Sequence, residues 1–294
     1  MSVGKIINEL VLAKLGLKLI RTSVSEKEAS TGSEGNSFVA QARILELASL
    51  LRPYRALERE KIRVGGQNDG GYISLDDFEG ICKAFSFGIG ADVSWDLDMA
   101  QRGILIYQFD HTVLGPDSCH PNFRFQRKRI VPSSPGEDEE TLLSLSKQYL
   151  NHTEYSILKI DVEHDEWAIF DAAADEALKP FAQIICEFHG FSSVVDDIWF
   201  KRALAVLHKL RRQFAVVHVH GNNAISWTNI GNVPFPELLE VTFANRSQYS
   251  FQPSEELFPT TLDSPNDPSN PDLFLGNFVF SPFQAFQSRA RRED

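Results

Sequence analysis

Phe87-Gly88-Ile89-Gly90-Ala91-Asp92 is the first segment whose residue types and spacing could do chemistry. Two glycines let a backbone approach a ligand closely, and a helix starting near Val93 would offer unpaired N–H groups to a negative group. The third glycine of a dinucleotide fingerprint is absent, because Val93 takes its place, and this counts against NAD or FAD. Asp110 follows Gly88 by 22 residues, and an acid at that distance can accept both hydroxyls of a ribose. The pair suggests an adenosine ligand without a pyrophosphate. S-adenosylmethionine is the candidate, its carboxylate facing the loop amides. A simple tight turn at the glycines, and a helix cap at Asp110, are the bland alternatives.

Three further segments place acids and histidines together. In Lys159-Ile160-Asp161-Val162-Glu163, the alternation of an extended chain puts Asp161 and Glu163 on one face. The same period puts Glu187 on the face of His189, and His218 on the face of His220. Each single histidine reads most simply as a hydrogen-bonded structural residue. Three strand ends carrying such pairs at one edge point instead to proton transfer or to a divalent cation. The mixed carboxylate and imidazole set Asp161, Glu187 and His189 suits Mg²⁺, Mn²⁺ or Zn²⁺.

These residues need elements to hold them. Apolar runs at 82–87, 104–109, 155–160, 182–188 and 214–219 read as strands, with helix-period stretches at 138–151, 166–178 and 196–212 between them. Such alternation predicts a parallel sheet with right-handed crossovers, covered on both faces. Residues 237–244 read as a strand without a preceding helix, hence an antiparallel addition whose start brings Glu237 or Glu240 to the same rim. Pro53 stops a helix predicted from Phe38 to Leu51, and residues 22–37 read as a polar linker. Five of the 14 prolines fall in 252–272, which reads as a surface wrap.

Composition sets limits. A 43% hydrophobic content over 294 residues is that of a folded globular chain, and 22 Phe against two Met predict a core of rigid rings. A formal net charge of −11 argues against duplex nucleic acid as a ligand. Cys82, Cys119 and Cys186 have no CxxC spacing, so a disulfide framework and a structural zinc site are not expected. Val3, Ile6, Ile7 and Leu10 begin a helical stripe, but Lys5, Glu9, Lys14 and Lys18 interrupt it, leaving no membrane span. That helix is expected to dock on the domain, to join two copies as a homo-oligomer, or to lie weakly on a membrane surface. The chain reads as soluble and cytoplasmic, with a helical extension and linker over 1–52 and one α/β domain over 53–294.

A resemblance enters with the combined motifs. Phe85-Ser86-Phe87-Gly88-Ile89-Gly90-Ala91-Asp92 followed by Leu158-Lys159-Ile160-Asp161-Val162-Glu163 resembles the FkbM-type S-adenosylmethionine-dependent methyltransferases. Asp69-Gly70-Gly71-Tyr72, Glu187-Phe188-His189 and His220-Gly221-Asn222-Asn223 are similar to the methyltransferase-like proteins near that family. The resemblance covers roughly residues 60–283 and implies a Rossmann-like class I methyltransferase fold, its seven-stranded, mostly parallel sheet ordered 3-2-1-4-5-7-6 with one antiparallel strand. It also implies methyl transfer to oxygen, with Asp69, Tyr72, Gly88, Gly90, Asp110 and Asp161 at the cofactor. Asp69 and Tyr72 would stand at its methionine end. One departure is His164, where the family usually has Gly.

The acceptor expected from the resemblance is a sugar hydroxyl of a surface glycan or a glycosylated metabolite. Such a hydroxyl is a poor nucleophile at neutral pH and must lose a proton. His189 is the first choice for base, with His220 and Glu163 as further catalytic candidates; a cation on Asp161, Glu187 and His189 would serve the same end. Other acceptors (a small molecule, lipid, protein or RNA) stay open. So do a metal-dependent hydrolase or lyase using these residues, and a non-catalytic binding scaffold.

Overall fold

The computed structural model describes residues 31–150 and 154–282. Its centre is a seven-stranded sheet built from β1 (Lys83–Phe87), β2 (Leu105–Phe109), β3 (Phe123–Gln126), β4 (Ser156–Ile160), β5 (Phe181–His189), β6 (Phe214–Gly221) and β7 (Leu238–Asn245). The strands lie in the order β3-β2-β1-β4-β5-β7-β6, and β7 alone runs antiparallel to its neighbours. Every residue of β4, β5, β6 and β7 is buried, as expected of strands covered on both faces. β3 has no counterpart among the predicted strands. It is an edge strand of sequence Phe-Arg-Phe-Gln, half-buried, and so has no apolar run to betray it.

Helices α1 (Thr31–Leu50), α2 (Ser94–Gln101), α3 (Leu142–Tyr149), α4 (Glu166–Ala172), α5 (Asp175–Leu178) and α6 (Asp197–Gln213) cover the faces. The helix predicted over 166–178 is two helices. Lys209 Nζ donates to the carbonyls of Phe170, Asp171 and Ala173 at 2.6–2.9 Å, satisfying the last turn of α4 and letting it end there. Helix α1 begins seven residues before the predicted Phe38, inside the supposed linker. Its backbone is held against the hairpin Trp227–Ile230/Val233–Pro236: a Cβ on Gly231 would stand 2.3 Å from the Gln41 nitrogen. Ile44, Leu47 and Leu51 join the main core, with Phe188, Leu207 and Phe243. The amphipathic stripe at Val3–Leu19 lies outside the described residues. No helix among them is long and apolar enough to cross a membrane.

Residues 254–280 have no helix and follow the predicted surface course. They are pinned to β6 and the turn after it: His218 to Asp263, His220 to Asp272, and Asn223 to the carbonyls of Asp267 and Asn270. Thus the start of β7 and the end of β6 are closed over by the C-terminal segment, whereas the ends of β1, β2 and β4 stay open.

Candidate functional site

The open ends form a cavity of about 470 Å³. Asp69, Tyr72, Gly88, Gly90, Asp110 and Asp161 all line it, together with Lys159 and Glu163. Each position has a local cause. Asp69-Gly70-Gly71-Tyr72 closes the hairpin between Lys61–Val64 and Tyr72–Leu75, and Gly70 takes φ +82°, a left-handed conformation. Gly88, at φ +71°, lets the end of β1 cross the end of β4, since a Cβ there would meet the Asp161 carbonyl oxygen at 1.7 Å. A Cβ on Gly90 would meet nothing within 4 Å.

Asp110 is almost fully buried, at 6% exposure, and its carboxylate is saturated. One oxygen accepts the N–H groups of Ile89 and Gly90, each at 3.0 Å; the other accepts the Thr112 N–H at 2.7 Å and its hydroxyl at 2.6 Å. Burial alone would raise its pKa, but the Thr112 hydroxyl and the three N–H donors outweigh that and hold it below the ordinary value. This corrects the expectation of free loop amides. Those of Ile89 and Gly90 are taken by Asp110, and the Gly88 N–H donates to the Phe109 carbonyl. Just before α2, the Asp92 carboxylate accepts the Ser94 N–H at 2.7 Å. The cavity also offers an anionic group a side-chain cation. Lys159, buried at the end of β4, points its ammonium at the Gly88 carbonyl (2.9 Å) and stands 5.4 Å from the centre of the Tyr72 ring.

Beyond Asp161 the cavity wall meets a second set. Register places Glu187 opposite Glu240, and Glu240 opposite His220; Cys186 faces Ile160, one residue before Asp161. A row of ionisable groups thus crosses β4, β5, β7 and β6 at one level. Asp161, Glu187 and His189 each bring one ligand atom within 4.8 Å of the others. Glu163 reaches the same point from the cavity side, its Oε2 3.4 Å from His189 Nε2.

The two outer members of that row are closed. His220 Nδ1 lies 3.0 Å from Glu240, and Nε2 lies 3.0 Å from Asp272. Two carboxylates can only accept, so both ring nitrogens donate and the ring is an imidazolium. Burial opposes that charge; Glu240 and Asp272 overcome it and raise the pKa well above the usual value. His220 therefore has no nitrogen left for a ligand; like His189 and Glu187 it stands behind the residues that line the cavity, among which only Asp161 and Glu163 belong to this set. Glu240 is also held by Asn266, and Glu237 by Ser192. His218 is fixed between Asp263 (2.8 Å) and Lys61 (3.3 Å); burial first, then the Lys61 charge, lower its pKa.

His189 differs. Its Nδ1 stands 3.1 Å from Glu166 Oε1, which also accepts the His189 backbone N–H at 2.7 Å. Its Nε2 makes no hydrogen bond among the described residues. Burial lowers its pKa, but Glu166, Asp161 and Glu163 together raise it above the usual histidine value. Burial drives the Asp161 pKa up to about 6, against the pull of Lys159 and His189. For Glu187, burial comes first and the Asp161 and Glu240 charges add to it, so its pKa rises well above the ordinary value. Groups poised in this way suit proton handling.

Sequence reasoning missed Glu166 and Lys159. Glu166 has no exposed surface, and its second oxygen has no partner. At the first position of α4 it looks like an ordinary first-turn acid. Lys159 did leave a signal, because a lysine inside a buried strand is rare without a task. The departure at His164 also acquires a meaning. Glu163 and His164 take φ +51° and +80°, consecutive left-handed residues where glycine would be unstrained. No family model and no curated protein sequence matches the chain. A solved structure described as "Putative hemolysin from Streptococcus thermophilus" is similar at 12% identity, covering 68% of this chain and 75% of its own, with a TM-score of 0.30.

Proposed function

We propose that this chain is an S-adenosylmethionine-dependent O-methyltransferase of the class I fold, acting on a hydroxyl of a sugar-containing acceptor. The observation that carries the reading is the meeting of Asp69, Tyr72, Gly88, Gly90, Asp110 and Asp161 in one cavity of about 470 Å³. That cavity opens at the carboxyl ends of β1, β2 and β4, the crevice where open parallel sheets bind ligands. Further support comes from the strand order and from the resemblance to the FkbM-type enzymes. The volume falls within the range of about 300–1,000 Å³ usual for small-molecule sites.

The cofactor supplies a methyl group on a positively charged sulfur, already activated for transfer. The protein's part is alignment and deprotonation. Asp110 serves the ribose hydroxyls once Thr112 Oγ1 releases its place on the carboxylate, a rotation about one side-chain bond. Asp69 and Lys159 also line the cavity, offering an acceptor and a cation for an α-amino and an α-carboxylate group. On the acceptor side, His189 Nε2 faces Glu163 and Glu187, while Glu166 holds Nδ1. The three unpaired cysteines, two of them exposed, suit a reducing compartment, and we assign the chain to the cytoplasm on that ground.

The test is titration of the full chain with S-adenosylhomocysteine by calorimetry, followed by methyl transfer from labelled cofactor to a panel of free and glycosidically linked sugars. Saturable binding lost on replacing Asp110, with label on an acceptor oxygen, is the expected result. No binding at millimolar ligand overturns the reading.

A further inference from the structure

We propose that Asp161, Glu187 and His189 form a divalent-cation site, and that Glu166 is the positioning residue that prepares its histidine. The three residues end neighbouring strands β4 and β5, and their ligand atoms lie within 4.8 Å of one another. Glu166 Oε1 accepts from both the backbone N–H and the ring of His189. A carboxylate can only accept, so in the neutral ring, the form a metal binds, the proton sits on Nδ1 and Nε2 carries the lone pair. His189 is 4% exposed and Glu187 5%. Both side chains are nearly enclosed, yet each keeps one atom reachable by a small ligand, since neither has a fully buried atom without a partner. Nε2 has no hydrogen bond among the described residues, and only one oxygen of Glu187 has a partner, Asn222 at 2.9 Å. The Asp161 carboxylate has no hydrogen bond among them either. Two carboxylate oxygens, from Glu163 and Glu187, stand 3.4 and 3.9 Å from the same nitrogen. The nearby ammonium, Lys159, is turned to the Gly88 carbonyl. A divalent cation placed among these atoms would give each of them a partner.

The donor set selects the ion. Two carboxylates and one imidazole favour a hard-to-borderline metal such as Mn²⁺ or Zn²⁺ over a thiolate-seeking one. Three protein ligands leave coordination positions open, and Asp161 lines the cavity, so those positions can face an acceptor oxygen. That last role rests on the methyltransferase reading; the site itself does not.

The experiment uses the full chain, stripped with a chelator and titrated with Mn²⁺ under electron paramagnetic resonance, with ¹⁵N NMR of the histidine rings in the stripped protein. One bound equivalent is expected, weakened at least tenfold in His189→Gln and in Asp161→Asn. The latter alters a partly exposed side chain and keeps the test open if the buried change unfolds the chain. Glu166→Ala should weaken Mn²⁺ by about 10–100-fold and move the His189 proton from Nδ1, whereas Glu166→Gln, which keeps an acceptor, should restore both. A merely structural role for Glu166 would leave the tautomer where it is. Failure of stripped protein to take up Mn²⁺, or uptake unchanged in both ligand variants, overturns the proposal. Parallel titration with S-adenosylhomocysteine separates the two readings. Metal uptake without nucleoside binding keeps the cation site and removes the methyltransferase, and the reverse result does the opposite.

Discussion

Replacing Asp110 by asparagine tests the glycine loop and the cavity in one step. The wild-type carboxylate accepts four hydrogen bonds, two from the loop amides at 3.0 Å and two from Thr112 at 2.7 and 2.6 Å. An amide accepts on one side only. It will turn its oxygen to Ile89 and Gly90, because the Thr112 hydroxyl can rotate to accept from the new NH₂ while backbone N–H groups cannot. The Thr112 N–H is then left facing a donor, at a cost of about 1–3 kcal/mol. The remaining bonds lose their charge assistance, roughly another 1 kcal/mol in sum after relaxation. A total of about 3 kcal/mol lowers the melting temperature by about 6–12 °C. Calorimetric melts read this directly, and pH adds a second check. The folded pKa of Asp110 is depressed, so its contribution is present above the unfolded value and lost as pH falls through the folded one. The gap between wild type and variant must therefore close in acid. A variant melting with the wild type at neutral pH, or a gap that persists undiminished at low pH, refutes the saturated-carboxylate account.

Gly88→Ala should cost more than about 3 kcal/mol, because its Cβ would overlap the Asp161 carbonyl oxygen, whereas Gly90→Ala should cost only about 1 kcal/mol of left-handed strain; urea titration ranks the two. His220→Gln leaves two buried carboxylates facing a neutral group, and should lose about 3–5 kcal/mol at neutral pH. Because the folded pKa of His220 is raised, that contribution is full below the unfolded value and lost as pH rises through the folded one, so the gap narrows in alkali. His164→Gly relieves a left-handed residue at φ +80° and should gain about 0.5–1 kcal/mol by urea titration; no gain refutes strain at this turn.

Much of the scaffold was legible because buried strands announce themselves. β1, β2, β4, β5 and β6 each coincide with an apolar run, and β7 was set apart by the missing helix before it. β3 was not legible, because an edge strand with one wet face needs no such run. Nor was the break between α4 and α5, whose cause, Lys209, lies 36 residues beyond Ala173. At the site, period-two alternation correctly paired Glu187 with His189, and acids after strand ends marked Asp110 and Asp161. What it could not supply was the occupancy of each polar atom. That Asp110 is already saturated depends on Thr112, and on loop amides folding back across 20 residues.

Occupancy is what separates His189 from His220. Both sit on strand ends, both share a face with another ionisable group, and both carry raised pKa values. The sequence offers no reason to prefer one, apart from the strand each occupies. The difference comes from the C-terminal segment, which returns 52 residues later to place Asp272 against His220 Nε2. With Glu240 on the other nitrogen, His220 becomes a fixed cation that ties the segment to β6. The His189 ring is hydrogen-bonded to one carboxylate, Glu166 from inside its own βαβ unit, where the His220 ring is hydrogen-bonded to two; Glu163 and Glu187 stand off its Nε2 at 3.4 and 3.9 Å. A buried imidazole held at one nitrogen is a ligand or a base in waiting; held at both, it is a bolt. Of the two rings, the one on β5 therefore keeps a nitrogen for a ligand or a proton, and the one on β6 does not.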